Sequence, residues 1–154
     1  MFTRIRLASV LILTLAACSN NSSDDRPYVE FAGGGFVFNY RTAVVDYGFV
    51  VLVKRKLEPG TVLQATFENP SGEPPFVITM PTVKGRIQYA FRTPPVQGVQ
   101  PDRDYSVALR VIEPETGTVL ATHTRNYRSN VDQAMMPKAP LTVGPGYHQP
   151  RAPD

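Results

Sequence analysis

The sequence is poor in the residues from which most catalytic and metal sites are built. One cysteine, Cys18, stands in 154 residues, so no disulfide can close within the chain and no cysteine-rich zinc cluster can form. The two histidines, His123 and His148, have no cysteine beside them, and a zinc site would have to draw carboxylates from elsewhere. Tryptophan is absent, which removes the broadest aromatic surface for stacking. No G-x-S-x-G elbow occurs, and Ser71-Gly72 falls in a turn, Asn69-Pro70-Ser71-Gly72. Gly33-Gly34-Gly35 leads into a strand-like run rather than a helix, so it reads as a bend or bulge, not a phosphate loop. Asp102 and Asp104 flank Arg103, but two carboxylates are too few for the six-oxygen shell of calcium. These absences predict a protein that is not an enzyme and holds neither metal nor cofactor.

Charge excludes another class. The chain has 16 Lys+Arg and 13 Asp+Glu, a net of +3. Arg4 and Arg6 fall in a segment expected to be removed, which leaves 14 against 13. A near-neutral mature chain offers little attraction for nucleic acid. Lys54-Arg55-Lys56 is the densest basic run, at a strand end. It reads as a solvated loop, with anionic lipid or an acidic partner as the functional alternative. Arg41, Arg86, Arg92, Arg125 and Arg128 are candidates to share its side.

There is also no long hydrophobic run. Leu7 to Ala17 covers 11 residues, apolar except Ser9 and Thr14, where a membrane-spanning helix needs about 20. Behind Arg4 and Arg6 this length fits the apolar region of a secretory signal. It ends in Leu15-Ala16-Ala17-Cys18, which resembles the lipobox of bacterial lipoproteins. That resemblance implies cleavage before Cys18, a diacylglycerol on its sulfur and an acylated amine, including a palmitate-type chain. Two or more acyl chains hold a protein stably to a membrane without a spanning helix. Ser19, rather than Asp, follows Cys18. By the same resemblance this implies the outer membrane, facing the periplasm. Residues 1–17 are thus expected to be a signal peptide and residues 18–27 a polar, lipidated tether that cannot bury surface.

From Tyr28 the pattern becomes short β-rich runs split by turn signals. Tyr28 to Ala32 and Phe36 to Tyr40 read as two strands on either side of the glycines. Val44 to Lys54 reads as a central strand. Leu63, Ala65 and Phe67 alternate with polar residues, as do Ile87, Tyr89 and Phe91, and Tyr105, Val107, Leu109 and Val111. Phe76 to Met80 lies between prolines, which marks an edge. Glu115-Thr116-Gly117 reads as a hairpin turn before a return strand, Thr118 to Tyr127. Seven or eight strands over residues 28–129 predict an all-β antiparallel sandwich, with a small closed barrel as the alternative. Residues 130–154 are expected to be an irregular, proline-rich tail. Within it, Val131 to Met136 could form one helical turn and Leu141 to Val143 an edge strand.

Val99-Gln-Pro-Asp-Arg-Asp-Tyr105 resembles the tyrosine corner of fibronectin type III-like domains, in the broad immunoglobulin-like class. The resemblance implies that the Tyr105 hydroxyl bonds to backbone just upstream. It also implies a core aromatic on an early strand, which without Trp falls to Tyr47 or Phe49. The functional expectation is a lipid-anchored, non-enzymatic envelope module that binds another envelope protein through sheet edges, loops or its tail. The alternative is a glycan- or polymer-binding module, with Tyr28, Tyr40, Tyr47, Tyr127 and Tyr147 as stacking candidates.

Overall fold

The computed structural model describes residues 25–146. Seven antiparallel strands occur in chain order: β1 Val29–Asn39, β2 Val44–Val53, β3 Val62–Phe67, β4 Phe76–Pro81, β5 Gln88–Arg92, β6 Asp104–Ile112 and β7 Val119–Arg128. They form two sheets, a three-stranded one ordered β1-β2-β5 and a four-stranded one ordered β4-β3-β6-β7. The sheets do not join into a closed barrel, so the chain is an all-β sandwich.

The alternation in sequence is the alternation in burial. Leu63, Ala65 and Phe67 face inward with Tyr105, Val107, Leu109 and Val111 from the same sheet, and Val45, Tyr47, Phe49, Val51, Tyr89 and Phe91 meet them from the other. Tyr47 occupies the centre. Its ring stacks on Phe36 at 4.5 Å between centroids and meets Phe67 edge-on at 5.3 Å. Phe49 packs beside it against Phe67 and Phe91 at 5.2 Å each, so the two aromatics share the place expected of one. The Tyr47 hydroxyl donates to the carbonyl of Glu68, and burial, with Glu68 and Tyr105 adding to it, raises its pKa well above the usual phenol range.

The corner at Tyr105 is formed. The Gln100 N–H donates to the Tyr105 hydroxyl oxygen at 2.7 Å, and the ring is fully buried. This ties the β5–β6 crossover to the start of β6. Beyond it, Glu68 receives Arg103 at 2.7 Å and the Ser106 N–H at 3.0 Å, so one carboxylate fastens the β3 end to the start of β6.

One expected boundary is corrected. Tyr28 to Ala32 and Phe36 to Tyr40 are not two strands: β1 runs unbroken through the glycines, with a register shift between Phe31 and Gly33. The glycines absorb a bulge instead of ending the strand. Past Ser129 the described residues form no regular strand but are fastened to the sandwich. A short 3-10 turn, Gln133–Met135, is capped by the Asp132 side chain. The Gln133 amide donates to the Val96 carbonyl at 2.8 Å and its oxygen accepts from the Val99 N–H at 3.0 Å. Further on, the Leu141 N–H donates to the Arg41 carbonyl at 2.8 Å, in the β1–β2 turn.

Candidate binding surfaces

The outward residues of the two sheets differ in kind. On the three-stranded sheet, register places Gly35 opposite Gly48, Val37 opposite Asp46, Val50 opposite Ala90, and Gly48 opposite Arg92. The result is an open trough of about 430 Å³, floored by the two glycines and walled by Val37, Val50, Ala90 and Arg92. Arg92 pairs with Asp46 across the strands, so the charges at the trough neutralise each other. Gly48 is demanded by the packing of backbones. A Cβ there would sit 2.2 Å from the Phe91 carbonyl oxygen, and one on Gly34 would meet the Gly48 carbonyl at 2.5 Å and the Tyr127 hydroxyl at 2.6 Å.

β5 borders this trough. It pairs with β2 on one side and has no partner strand on the other among the described residues. β4 is likewise at the rim of its own sheet, and its inward side chains Phe76, Ile78 and Met80 are only half-buried. The opposite seam, between β1 and β7, is closed: the Tyr127 hydroxyl reaches the Gly33 carbonyl at 3.4 Å and Arg125 lies over Phe31 at 5.9 Å.

The outward face of the four-stranded sheet is polar, with Arg110 and the Asp104–Arg128 ion pair as charges on it. Cross-strand rows run Thr79, Gln64, Arg110, Thr122 and Val77, Thr66, Ala108, Thr124, with Ser106 beside Asn126. Hydroxyl and amide groups dominate it.

The residues singled out in the sequence are dispersed. Cys18, Tyr147 and His148 lie outside the described residues. Lys54 pairs with Glu30 at 2.9 Å, Lys56 with Glu58 at 3.0 Å, and Arg55 stacks on the Tyr28 ring at 4.1 Å. The five arginines do not share one side: Arg92 is on the three-stranded sheet, Arg125 and Arg128 on β7, Arg86 in the β4–β5 loop and Arg41 in the β1–β2 turn. Of the candidate stacking tyrosines, Tyr47 and Tyr127 are buried in the core and only Tyr40 is well exposed among those described. The described tyrosines thus form no flat platform. Asp104 is engaged by Arg128 at 2.7 Å, and that hydrogen bond holds its carboxyl below the usual range. No group of three or more His, Cys, Asp or Glu suited to a metal ion occurs among the described residues. His123 lies on β7 with its Nε2 covered and without a hydrogen-bond partner, and this burial lowers its pKa below the usual imidazole value.

The trough and the free β5 edge are not legible in the sequence. The one available signal is Gly48 inside an otherwise apolar run, a glycine with no turn to make. No helix among the described residues is long and apolar enough to cross a membrane. No known protein family, curated protein or solved structure matches the chain.

Proposed function

We propose that the protein is a lipid-anchored module of the bacterial cell envelope, without a catalytic role, that holds another envelope protein by strand addition along β5. The observation that carries this reading is a sheet edge with no partner strand among the described residues, bordering an apolar, glycine-floored trough. An extended segment hydrogen-bonded to β5 would lay alternate side chains toward the trough and toward the half-buried Phe76, Ile78 and Met80. Leu15-Ala16-Ala17-Cys18 supports the anchor, with Cys18 as the attachment residue, and Ser19 supports the outer membrane. The immunoglobulin-like and fibronectin type III-like kinship rests on the Tyr105 corner.

The test is position-specific photo-crosslinking in intact cells. A crosslinker replacing Ala90 should yield a defined adduct with an envelope protein, and one replacing Thr124 on the opposite face should not. No adduct at 90, or equal adducts at both, sinks the strand-addition reading. Mass spectrometry of the mature N-terminus tests the anchor separately: a diacylglyceryl-modified Cys18 is expected, and an unmodified terminus at another residue overturns it.

A second reading is supported by the hydroxyl- and amide-rich face around Thr66, Ser106, Thr124 and Asn126, a surface suited to a neutral glycan. Co-sedimentation with purified cell-wall polymer, lost on Thr66→Val with Thr124→Val, would favour it over the first.

A further inference from the structure

One end of the sandwich brings together three segments distant in sequence. The Tyr28 carbonyl accepts from the N–H groups of Lys54 at 3.0 Å and Arg55 at 3.4 Å. The Val53 N–H donates to the Ile87 carbonyl at 2.9 Å, and Gly60 donates to Thr82 at 3.0 Å. The Thr82 hydroxyl closes the set by donating to the Glu58 carbonyl at 2.8 Å. The point where the tether joins β1, the Lys54–Lys56 run and the β4–β5 loop therefore form one braced platform.

The β4–β5 loop has the pattern Val83-Lys84-Gly85-Arg86-Ile87, apolar, basic, Gly, basic, apolar. It is a tight turn: the Arg86 N–H donates to the Val83 carbonyl at 3.1 Å and Gly85 takes φ +80°. The Val83 N–H is held in turn by the Tyr89 hydroxyl at 2.8 Å. Two β-branched side chains are thus presented to solvent on a rigid tip, Val83 56% and Ile87 69% exposed. The core does not use them. Lys56, Lys84 and Arg86 line one pocket with the pair, with Glu58 as its carboxylate, and Lys54 pairs with Glu30 at the start of the same basic run. Glu113 and Glu115, from the β6–β7 turn, line the neighbouring pocket together with Arg55, Lys56 and Glu58. Three of the four lysines of the whole chain are here. The Lys54 and Lys56 ion pairs are solvent-exposed and hence weak.

We infer that this end is a membrane-contact face, in which Val83 and Ile87 enter the headgroup boundary while the surrounding cations meet anionic lipid phosphates. The composition favours a bilayer over a protein partner, because the exposed apolar pair stands among three long, flexible cations, Lys56, Lys84 and Arg86. The position favours it too. The inference rests on the proposed anchor at Cys18, from which residues 18–27 reach at most about 33 Å before joining the platform at Tyr28. An acyl-anchored chain would hold this end, and not the opposite one, at high effective concentration over the lipid.

The chain has no tryptophan, so Ile87→Trp gives a single reporter on the mature chain, residues 18–154. Its sole cysteine, Cys18, allows coupling to a maleimide lipid, which imposes anchoring whether or not the cell provides it. On vesicles containing phosphatidylglycerol, the indole emission of the Ile87→Trp chain should shift to the blue and be quenched by brominated acyl chains. Val37→Trp on the trough face should do neither. With Cys18→Ser and no coupling, the same chain should co-sediment with phosphatidylglycerol vesicles at low salt. Lys84→Glu with Arg86→Glu should weaken that binding by about tenfold or more, and Lys138→Glu should leave it unchanged. An unshifted indole emission from anchored Ile87→Trp on anionic vesicles overturns the inference. So does equal binding to phosphatidylcholine alone. A failed anchor would appear only in the N-terminal mass spectrum and would leave these readouts intact.

Discussion

The two sheets use opposite means to the same shared core. The three-stranded sheet is built on close backbone approach: glycines at 34, 35 and 48 align across β1 and β2, and its outer face is left apolar and grooved. The four-stranded sheet has no glycine in any of its strands, and its outer face carries rows of hydroxyls and amides. The first sheet gives up side-chain cover to gain an open surface; the second keeps its cover, with Val77 and Val119 among the exposed apolar side chains on its strands. This difference locates tolerance to change as well as candidate binding.

The sharpest way to break the comparison is Gly48→Ala. The new methyl would lie 2.2 Å from a backbone oxygen of β5, which cannot rotate away as a side chain would. A loss of about 3 kcal/mol or more is expected, read by denaturant unfolding, while Ala108→Ser on the other outer face should unfold like the parent. Equal behaviour of the two would show that the sheets are not built differently. Tyr105→Phe comes next. It removes the partner of the Gln100 N–H and should cost about 1–3 kcal/mol. An unchanged melting temperature would remove the corner from the reasons the four-stranded sheet is stable.

His123 gives a smaller, pH-dependent effect at the edge of that sheet. Its folded pKa is depressed by burial below 6.5. The unfolded chain therefore takes up the proton first as pH falls, and stability present above about 6.5 declines below it. His123→Gln, neutral throughout, should flatten the fall in melting temperature between about pH 7 and pH 5. A parallel fall in both proteins would assign it to other groups. Smallest of all is Thr66→Val with Thr124→Val, on the exposed hydroxyl face, where a change within about 0.5 kcal/mol is expected. A larger loss would mean that this face contributes to folding and not only to contact with its surroundings.

What can be read from the residues follows from the range of the forces involved. Alternation is a local property, so the inward sets on β3 and β6, Tyr89 and Phe91 on β5, the edge position of β4 between its prolines, and the turn at Gly117 are all visible. The same alternation puts Ile87 beside Tyr89, but Ile87 precedes β5 and is exposed. The corner is visible because its parts lie within seven residues, Val99 to Tyr105. The trough is not, because Gly35 and Gly48 become neighbours only through the register of β1 on β2, which the bulge after Phe31 resets. For the same reason the residues alone divide β1 in two: a run of three glycines looks like a stop until a partner strand is present to carry the ladder across it. The grip of Gln133 on the β5–β6 loop joins positions 37 apart and leaves no periodic trace. Val83 and Ile87 carry no local mark of exposure either, since their projection depends on how the loop turns at Gly85.

The fastening of the segment after Ser129 has a mechanical consequence. β1 begins at one end of the sandwich, beside Lys54, whereas the segment after β7 is tied to the β1–β2 turn at the other. Tension between the N-terminal side and the C-terminal segment would run along the strands. β1 and β2 share ten register positions, and a load in that direction shears their ladder as a unit rather than opening it one rung at a time. The sandwich is therefore wired as a stiff link, and under strain its weak points are the segments that lead in and out.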